Sequence, residues 1–508
     1  MHVVFVSDHF STPDEPGILR TWQLSRHLCE QGDRVTVIAP RDHYLFPARS
    51  RRTTPLPDGL QLVPLASPPL DRSRVSSRLG YYLAQLVGAT KEAWRAGPCD
   101  VIVAGQTPSV LSVGAYLVAR ARRVPFVLDE RDLALDAATE LRLLPGPVLA
   151  MARTVERLLH RRADGVVAVT PGLARVLQER GVRSERLWLV PNGLDTSPDP
   201  PAPDPRQLRS ELGWDGKVVV LYAGGLGQAY DLGVVLDAMA RLRASELLLA
   251  VLGEGEHKAR YRERAQAQGL DVQFLAPRPK REVPAFCEAS DICVVPLQAV
   301  ARSSYVLSNK LFDYLGSGRP VVATGPGDTA DLLRKADAGV VVPAGDAEAM
   351  ASALEDLARD PRRRARMGAS GRAFVEENCR REQFARVFRH ALASTATRPT
   401  SRPGAGPAGE AARIRSVYRL YDTDVRARAK RSEHNPGVRV IADHRWTAIR
   451  RALAGLPAVD RLAVLDVGCG TGDDLGRIGR LWADRGVRLH GIDILPDRIE
   501  RARRRVPD

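Results

Sequence analysis

Short apolar runs alternate with longer amphipathic stretches through most of this chain. Residues 3–6, 34–39, 60–65, 101–104, 125–128, 165–169 and 187–190 are brief segments rich in Val, Ile and Leu. Segments that short and that apolar predict strands covered on both faces, as in a parallel sheet. Between them the spacing becomes helical: over residues 21–31, Leu24 and Leu28 share one face. A second series starts at 217–222 and continues at 247–252, 272–275, 292–295, 320–323 and 339–342. Helical stretches at 346–359 and 361–393 close it. The alternation predicts an α/β chain with two doubly wound domains, each taking ligands at the carboxyl ends of its strands.

Breaks in the pattern divide the chain. Pro191-Asn-Gly-Leu-Asp195 ends the first series, and a Pro-rich connector, 197–205, follows it. The domains are expected at 1–195 and 206–393. Residues 394–410 are a low-complexity stretch rich in Ala, Gly, Pro, Ser and Thr that cannot bury a core and reads as a flexible linker. A third part occupies 411–508.

At 508 residues, each part is long enough for its own core. The net charge of +15 is uneven. Residues 1–190 carry 25 Lys and Arg against 19 Asp and Glu, residues 191–390 carry 27 of each, and residues 391–508 carry 23 against 14. With no zinc finger, RNP motif or basic-aromatic stripe, the basic first part points away from nucleic acid and toward an anionic membrane surface. Six cysteines without paired or Cys/His ligand spacing fit core thiols in a reducing cytoplasm. The opening residues lack a basic n-region and read as a first strand, and no run of about 18 apolar residues is present. The expected location is therefore the cytoplasm, with contact at the inner face of the cell membrane.

The most informative chemistry lies in Ser308-Asn-Lys-Leu-Phe-Asp-Tyr-Leu-Gly-Ser-Gly-Arg-Pro320. Lys310 and Asp313 are three apart, so on a helix they share a face. Ser308 or Asn309 is expected to cap that helix, leaving N–H groups for anions. The mouth would offer cations to phosphates and a carboxylate to sugar or ribose hydroxyls. An ordinary solvated βα unit would look similar. Gly224-Gly-Leu-Gly227 adds a bare strand-to-helix turn that a diphosphate can approach, and a tight turn with no ligand is its bland reading.

These segments resemble the nucleotide-sugar site of family 4 glycosyltransferases, which have the GT-B fold of two Rossmann-like domains. The nearest branch acts in bacterial O-antigen and capsule synthesis and carries Ser-Lys-Leu-Phe-Glu-Tyr here. The resemblance spans residues 1–393 in order. It implies a nucleotide diphosphate-sugar donor held by Gly17, Gly224, Gly225, Gly227, Glu254, Arg278, Ser308, Asn309, Lys310 and Asp313. It also implies retention of anomeric configuration and no metal; no Asp-x-Asp marks a strand end and no metal trio is evident. Two departures stand out. Gln228-Ala-Tyr230 replaces the Arg and Lys that many relatives carry after the glycine turn, leaving more to Lys310, and Tyr305 stands where many have a second Glu. On the acceptor side, Arg20 and Glu130 are the expected contacts. Arg131 and Asp132 are the expected catalytic pair beside Lys310, with a carboxylate able to hold or deprotonate a hydroxyl. Asp129 and Glu130 also fit structural ion pairs.

In the third part, Ala463-Val-Leu-Asp-Val-Gly-Cys-Gly-Thr-Gly472 reads as a strand entering a glycine turn, and Leu489-His-Gly-Ile-Asp493 as a strand ending in a carboxylate. The wording resembles the cofactor site of class I S-adenosylmethionine-dependent methyltransferases, with Asp466, Gly468, Gly470, Gly472 and Asp493 on the family's positions. A Rossmann dehydrogenase site is the rival. Such a sheet has seven strands, so a truncated third Rossmann-like module is expected, a fragment of a longer fusion or a remnant. The functional reading is a glycosyltransferase. Its rivals are a methyltransferase carrying a scaffold, a non-catalytic nucleotide-sugar-binding module, and a GT-B epimerase or phosphorylase.

Overall fold

A computed structural model describes residues 1–40, 54–66, 68, 75–105, 109–140, 144–195, 203–242, 247–397, 463–467 and 488–492. Residues 1–401 form one unit and residues 402–508 another.

The first series forms one seven-stranded sheet. Its strands are β1 (His2–Val6), β2 (Arg34–Pro40), β3 (Leu60–Leu65), β4 (Val101–Gly105), β5 (Phe126–Glu130), β6 (Gly165–Ala168) and β7 (Leu187–Leu189). All pair in parallel, in the order β3-β2-β1-β4-β5-β6-β7. β1, β4, β5 and β6 are buried along their whole length, which is why they are apolar throughout and not alternating. The helices are α1 (Arg20–Glu30), α2 (Val75–Arg95), α3 (Ser109–Arg122), α4 (Ala134–Glu140), α5 (Gly146–Arg162) and α6 (Pro171–Glu179).

The second series runs α7 (Pro205–Glu211), β8 (Val218–Ala223), α8 (Leu232–Arg241), β9 (Leu247–Leu252), α9 (Lys258–Ala267), β10 (Val272–Leu275), α10 (Val283–Ala289) and β11 (Ile292–Val295). A 3-10 turn, Ala301–Tyr305, precedes α11 (Lys310–Gly316), β12 (Val321–Thr324), α12 (Asp328–Ala336), β13 (Gly339–Val342), α13 (Ala347–Arg359) and α14 (Pro361–Asn378). The parallel order is β10-β9-β8-β11-β12-β13. In both sheets the winding reverses beside the first strand, so the ligand crevices lie at the carboxyl ends of β1/β4 and β8/β11.

The stretch expected as one helix over 361–393 is two. α14 ends at Asn378, and α15 (Arg381–Ala396) runs past Ser394, so the linker starts later than expected. α15 also leaves its own series and packs on the first sheet. Phe384, Phe388 and Leu392, four apart, form a buried stripe, and the Phe388 ring lies 6.2 Å from that of Phe5. Arg389 adds a 2.6 Å bond to Asp33. The two crossings between the sheets run side by side: the Leu194 N–H donates to the Cys379 carbonyl at 2.8 Å and the Arg381 N–H to Leu194 at 2.9 Å.

The sheets also meet at Tyr305. Its ring joins the first domain's core and its hydroxyl donates to Asp136 at 3.0 Å. Thr170 Oγ1 donates to the Tyr305 carbonyl at 2.7 Å, and the Gly172 N–H to Asp328 at 2.8 Å. The residue that stands in for a Glu is thus part of the domain junction.

In the last unit, β14 (Ala463–Val467) pairs in parallel with β15 (Arg488–Ile492), with Asp466 opposite Gly491. Gly468, Gly470, Gly472 and Asp493 lie outside the described residues.

Candidate active site between the sheets

Glycine lets the ends of β8 and β9 touch. Gly224 follows β8 with φ +154°, and a Cβ there would meet Lys310 Cε at 2.7 Å. Gly253 follows β9 with φ +150°, and its Cβ would overlap the Gly224 carbonyl oxygen. Backbone bonds join the turns, Gly224 N–H to Leu252 at 2.9 Å and Leu226 N–H to Glu254 at 2.9 Å. A Cβ at Gly225 or Gly227 would meet nothing within 4 Å, so that backbone stays open to approach. The Gly225 carbonyl accepts from the Tyr222 hydroxyl at 2.5 Å.

Lys310 opens α11 and is nearly buried. Its Nζ lies 3.3 Å from the Tyr230 ring centroid and 4.9 Å from that of Tyr222, a cation held by two aromatic faces. Burial lowers the Lys310 pKa, against the pull of Tyr230 and Asp313. Burial would raise the Tyr230 phenol, but the Lys310 charge and the Ser308 hydroxyl outweigh it and its pKa falls. Ser308 Oγ stands 3.1 Å from the Tyr230 hydroxyl.

Neither expected cap operates. Asn309 already has helical angles, φ −58° and ψ −34°, and its side chain makes no capping bond; its buried Oδ1 has no hydrogen-bond partner. Ser308 is turned to Tyr230 instead. Asp313 is ion-paired with Lys280, so sugar hydroxyls would have to share that carboxylate. The Lys280 N–H donates to the Glu15 carbonyl and the Arg281 N–H to Pro13, each at 3.2 Å. That contact brings the loop carrying Gly17 (φ +134°) to the edge of the second domain's site. Glu254 pairs with Lys258 at 3.2 Å. Arg278 is exposed over the Phe286 ring, 5.7 Å from its centroid, and is not brought to Lys310.

Across the cleft, the end of β5 sorts its charges by strand alternation. Asp129 faces Arg20 and Arg131, while Glu130 faces His160. Arg20 is 1% exposed; its Nη2 donates to Asp129 Oδ1 at 2.7 Å, its Nε to Oδ2 at 3.0 Å and its Nη1 to Asn192 at 3.1 Å. Arg131 Nε donates to Asp129 at 3.1 Å and its Nη2 to Thr21 at 2.9 Å. Burial would raise the Asp129 pKa, but Arg20 and then Arg131 outweigh it and hold it down. Glu130 is fully buried, 2.6 Å from His160 Nε2, and its pKa is raised by burial.

Arg20 and Glu130, expected to meet an acceptor, are therefore spent inside the fold on ion pairs. Arg131 and Asp132, expected to act together, turn to different partners. Asp132 Oδ1 is buried with no hydrogen-bond partner, and burial raises its pKa against the charge of Arg302. The Asp132 charge also acts on Tyr230, pushing its pKa up against the larger effect of Lys310.

Three site residues escaped the sequence reading. Tyr230 was visible only as a missing cation. Arg302 and Arg381 carried no local signal. Arg381 donates to the Gly193 carbonyl at 2.6 Å, and burial lowers its pKa to about 10, against the pull of Asp195. Among the described residues no group of three or more His, Cys, Asp or Glu converges to hold a metal ion, and no helix is long and apolar enough to cross a membrane.

Known proteins resemble this chain in sequence and in fold. The protein of Escherichia coli named WcaI, a colanic acid biosynthesis glycosyl transferase by that name, is 29% identical over 231 residues, 44% of this chain and 56% of its own. A mannosyltransferase of Mycolicibacterium smegmatis, named as GDP-mannose-dependent and acting on phosphatidylinositol monomannoside, is 28% identical over 238 residues, 46% of this chain and 62% of its own. The chain thus spans less than two thirds of the length of these relatives. Anabaena HepE, solved with UDP-glucose, superposes with a TM-score of 0.61 at 18% identity, covering 78% of this chain and 100% of that one. That likeness establishes the fold. Residues 18–193 match the family model of the glycosyl transferase 4-like domain, and residues 217–360 that of glycosyl transferases group 1. The chain carries these two glycosyl transferase domains in order.

Proposed function

We propose that this chain transfers a glycosyl group from a nucleotide diphosphate-sugar to a hydroxyl acceptor. The observation that carries the reading is Lys310 seated on the bare backbone of Gly224 at the crevice of the second sheet. The rings of Tyr222 and Tyr230 hold the ammonium within reach, and a diphosphate competes with them for it. Lys310, with the hydroxyls of Ser308 and Tyr230 and the open backbone of Gly225 and Gly227, then meets the charge that develops on the leaving diphosphate. Asp313 shares the ribose hydroxyls with Lys280. Gly17, Glu254, Arg278 and Asn309 are assigned to the donor on resemblance. Asp132 is the carboxylate we assign to the acceptor hydroxyl, supported by its buried, unpartnered Oδ1. Arg131 is assigned to hold Asp129 and the end of β5 in place. Transfer is assigned as retaining and independent of metal. The acceptor is a glycan, lipid-linked saccharide or metabolite, met at the inner face of the membrane.

For residues 411–508 a second reading stands, the start of an S-adenosylmethionine site. The parallel pairing of β14 with β15, which sets Asp466 level with Gly491, supports it.

Nucleotide release and sugar transfer by the full chain, across UDP-, GDP- and TDP-sugars with EDTA present, test the main reading. Lys310→Ala is expected to lower turnover at least roughly 100-fold while the protein stays folded. A folded chain with no turnover, whose melting no donor shifts, would overturn it.

A further inference from the structure

Among the described residues ten large apolar side chains stand exposed, and eight of them lie on α2, α3 and α5. α2 packs on α3 and α3 on α5, so the three helices form one layer over the first sheet. On α2, Leu83, Val87 and Trp94 are spaced by four and seven residues and fall on one stripe, 57%, 58% and 52% exposed. Leu117 on α3 and Val148, Met151 and Leu158 on α5 extend the apolar surface, Met151 being 64% exposed.

The same helices carry nine Lys and Arg against two Glu, and one of those, Glu156, is buried. At the carboxyl end of α5 lies a cavity of about 360 Å³, lined by His160, Arg161, Gly181, Arg183 and Arg186. Apolar side chains mixed with cations of one sign suit a helix layer resting in an anionic lipid interface, where arginine stems lie along the apolar boundary and their heads meet phosphates. The second domain supplies a contrast: it exposes no large apolar side chain among its described residues.

We propose that the outer face of α2, α3 and α5 is the surface by which this chain lies on an anionic bilayer, with the arginine-lined cavity taking a lipid headgroup phosphate. This names the membrane-contacting surface of the proposed function and rests on that reading for its purpose.

Co-sedimentation of the full chain with vesicles of phosphatidylcholine alone, or mixed with phosphatidylglycerol, tests it. Pelleting is expected only with the anionic lipid, and weakening as salt rises. Combined Leu83→Gln, Val87→Gln and Met151→Gln changes should lower partition at least roughly tenfold, with melting temperature and donor turnover in solution unchanged. Arg161→Gln with Arg186→Gln should flatten the salt dependence. Equal binding to both vesicles, no binding, or undiminished binding by the triple variant would overturn the proposal. So would a concentration-dependent dimer that the triple variant abolishes without any lipid binding. None of these outcomes touches donor turnover or its loss in Lys310→Ala, so failure here is distinguishable from failure of the transferase reading.

Discussion

The two domains build their halves of the cleft from different materials. In the second, the site is backbone against backbone: Gly224 on Gly253, and Leu226 on Gly255, with Lys310 laid over the first contact. In the first, it is side chain against side chain, a buried pair of Arg20 and Asp129 joined by Arg131 and Asn192. Backbone contact needs only glycines at neighbouring strand ends. A buried ion pair needs partners brought from far along the chain, here 109 residues for Arg20 to Asp129 and 172 for Arg20 to Asn192. The first arrangement tolerates no added atom; the second tolerates no missing charge.

The largest effect is expected where an atom is added. In Gly253→Ala the methyl group would occupy the place of the Gly224 carbonyl oxygen, at a φ of +150° that side chains rarely adopt. A destabilisation above about 4 kcal/mol should follow, read as lost soluble expression or lost cooperative melting. Gly227→Ala, with open space around it, should melt like the parent. Similar melting of the two variants would break the backbone-contact account.

Removing one partner of the buried pair comes next. Arg20→Ala leaves the carboxylate of Asp129 buried with Arg131 as its remaining cation, and should destabilise by about 3–5 kcal/mol in denaturant unfolding. Arg20→Leu combined with Asp129→Leu should destabilise by less than the sum of the single changes, because no charge is then stranded. Strict additivity would mean that the pair is not a unit.

This contrast also explains what could be read in advance. The strand series, the doubly wound class and the glycine turns depend on local spacing, and residues 60–65, 247–252, 272–275, 292–295 and 339–342 form the strands expected. Gly224 and Lys310 were legible as chemistry, though not the aromatic dock that holds the lysine, because Tyr230 in sequence is only a cation not there. The roles of Arg20 and Glu130 were not legible: a charged residue at a strand end reads the same whether it faces a cleft or a buried partner. The return of α15 to the first sheet was hidden too. Its apolar stripe declares a buried face but not which sheet buries it.

Glu156 tests how the first domain tolerates buried acids away from the cleft. Burial raises its pKa from 4.5 to about 7, with Glu130 adding to the effect and His160 and Arg180 opposing it. The folded state therefore holds this proton more tightly than the unfolded state. Its stabilising effect is complete below about pH 4.5 and is lost as pH rises through about 7. His160, with a pKa raised mainly by Glu130 against the opposing effect of burial, acts in the same direction: its contribution is full below 6.5 and is lost at higher pH. Glu156→Gln should therefore flatten the fall in stability between pH 5.5 and 8, by about 2 kcal/mol. Thermal melts at the two pH values check this, and an unchanged slope would place the titration elsewhere.

The smallest effect belongs to one of the bonds that link the two domains. Tyr305→Phe removes the 3.0 Å bond to Asp136 but keeps the ring in the first domain's core. Asp136 is not stranded, because Arg180 Nη2 still donates to both its oxygens, at 2.6 and 2.8 Å. The loss should be that of one compensated hydrogen bond, about 1 kcal/mol. The Tyr305 backbone keeps its bond from Thr170, so the junction should hold and the donor affinity of the second domain should not change. A large fall in donor affinity would show that Tyr305 couples the junction to the Lys310 site, and the two halves of the cleft would then not be independent constructions.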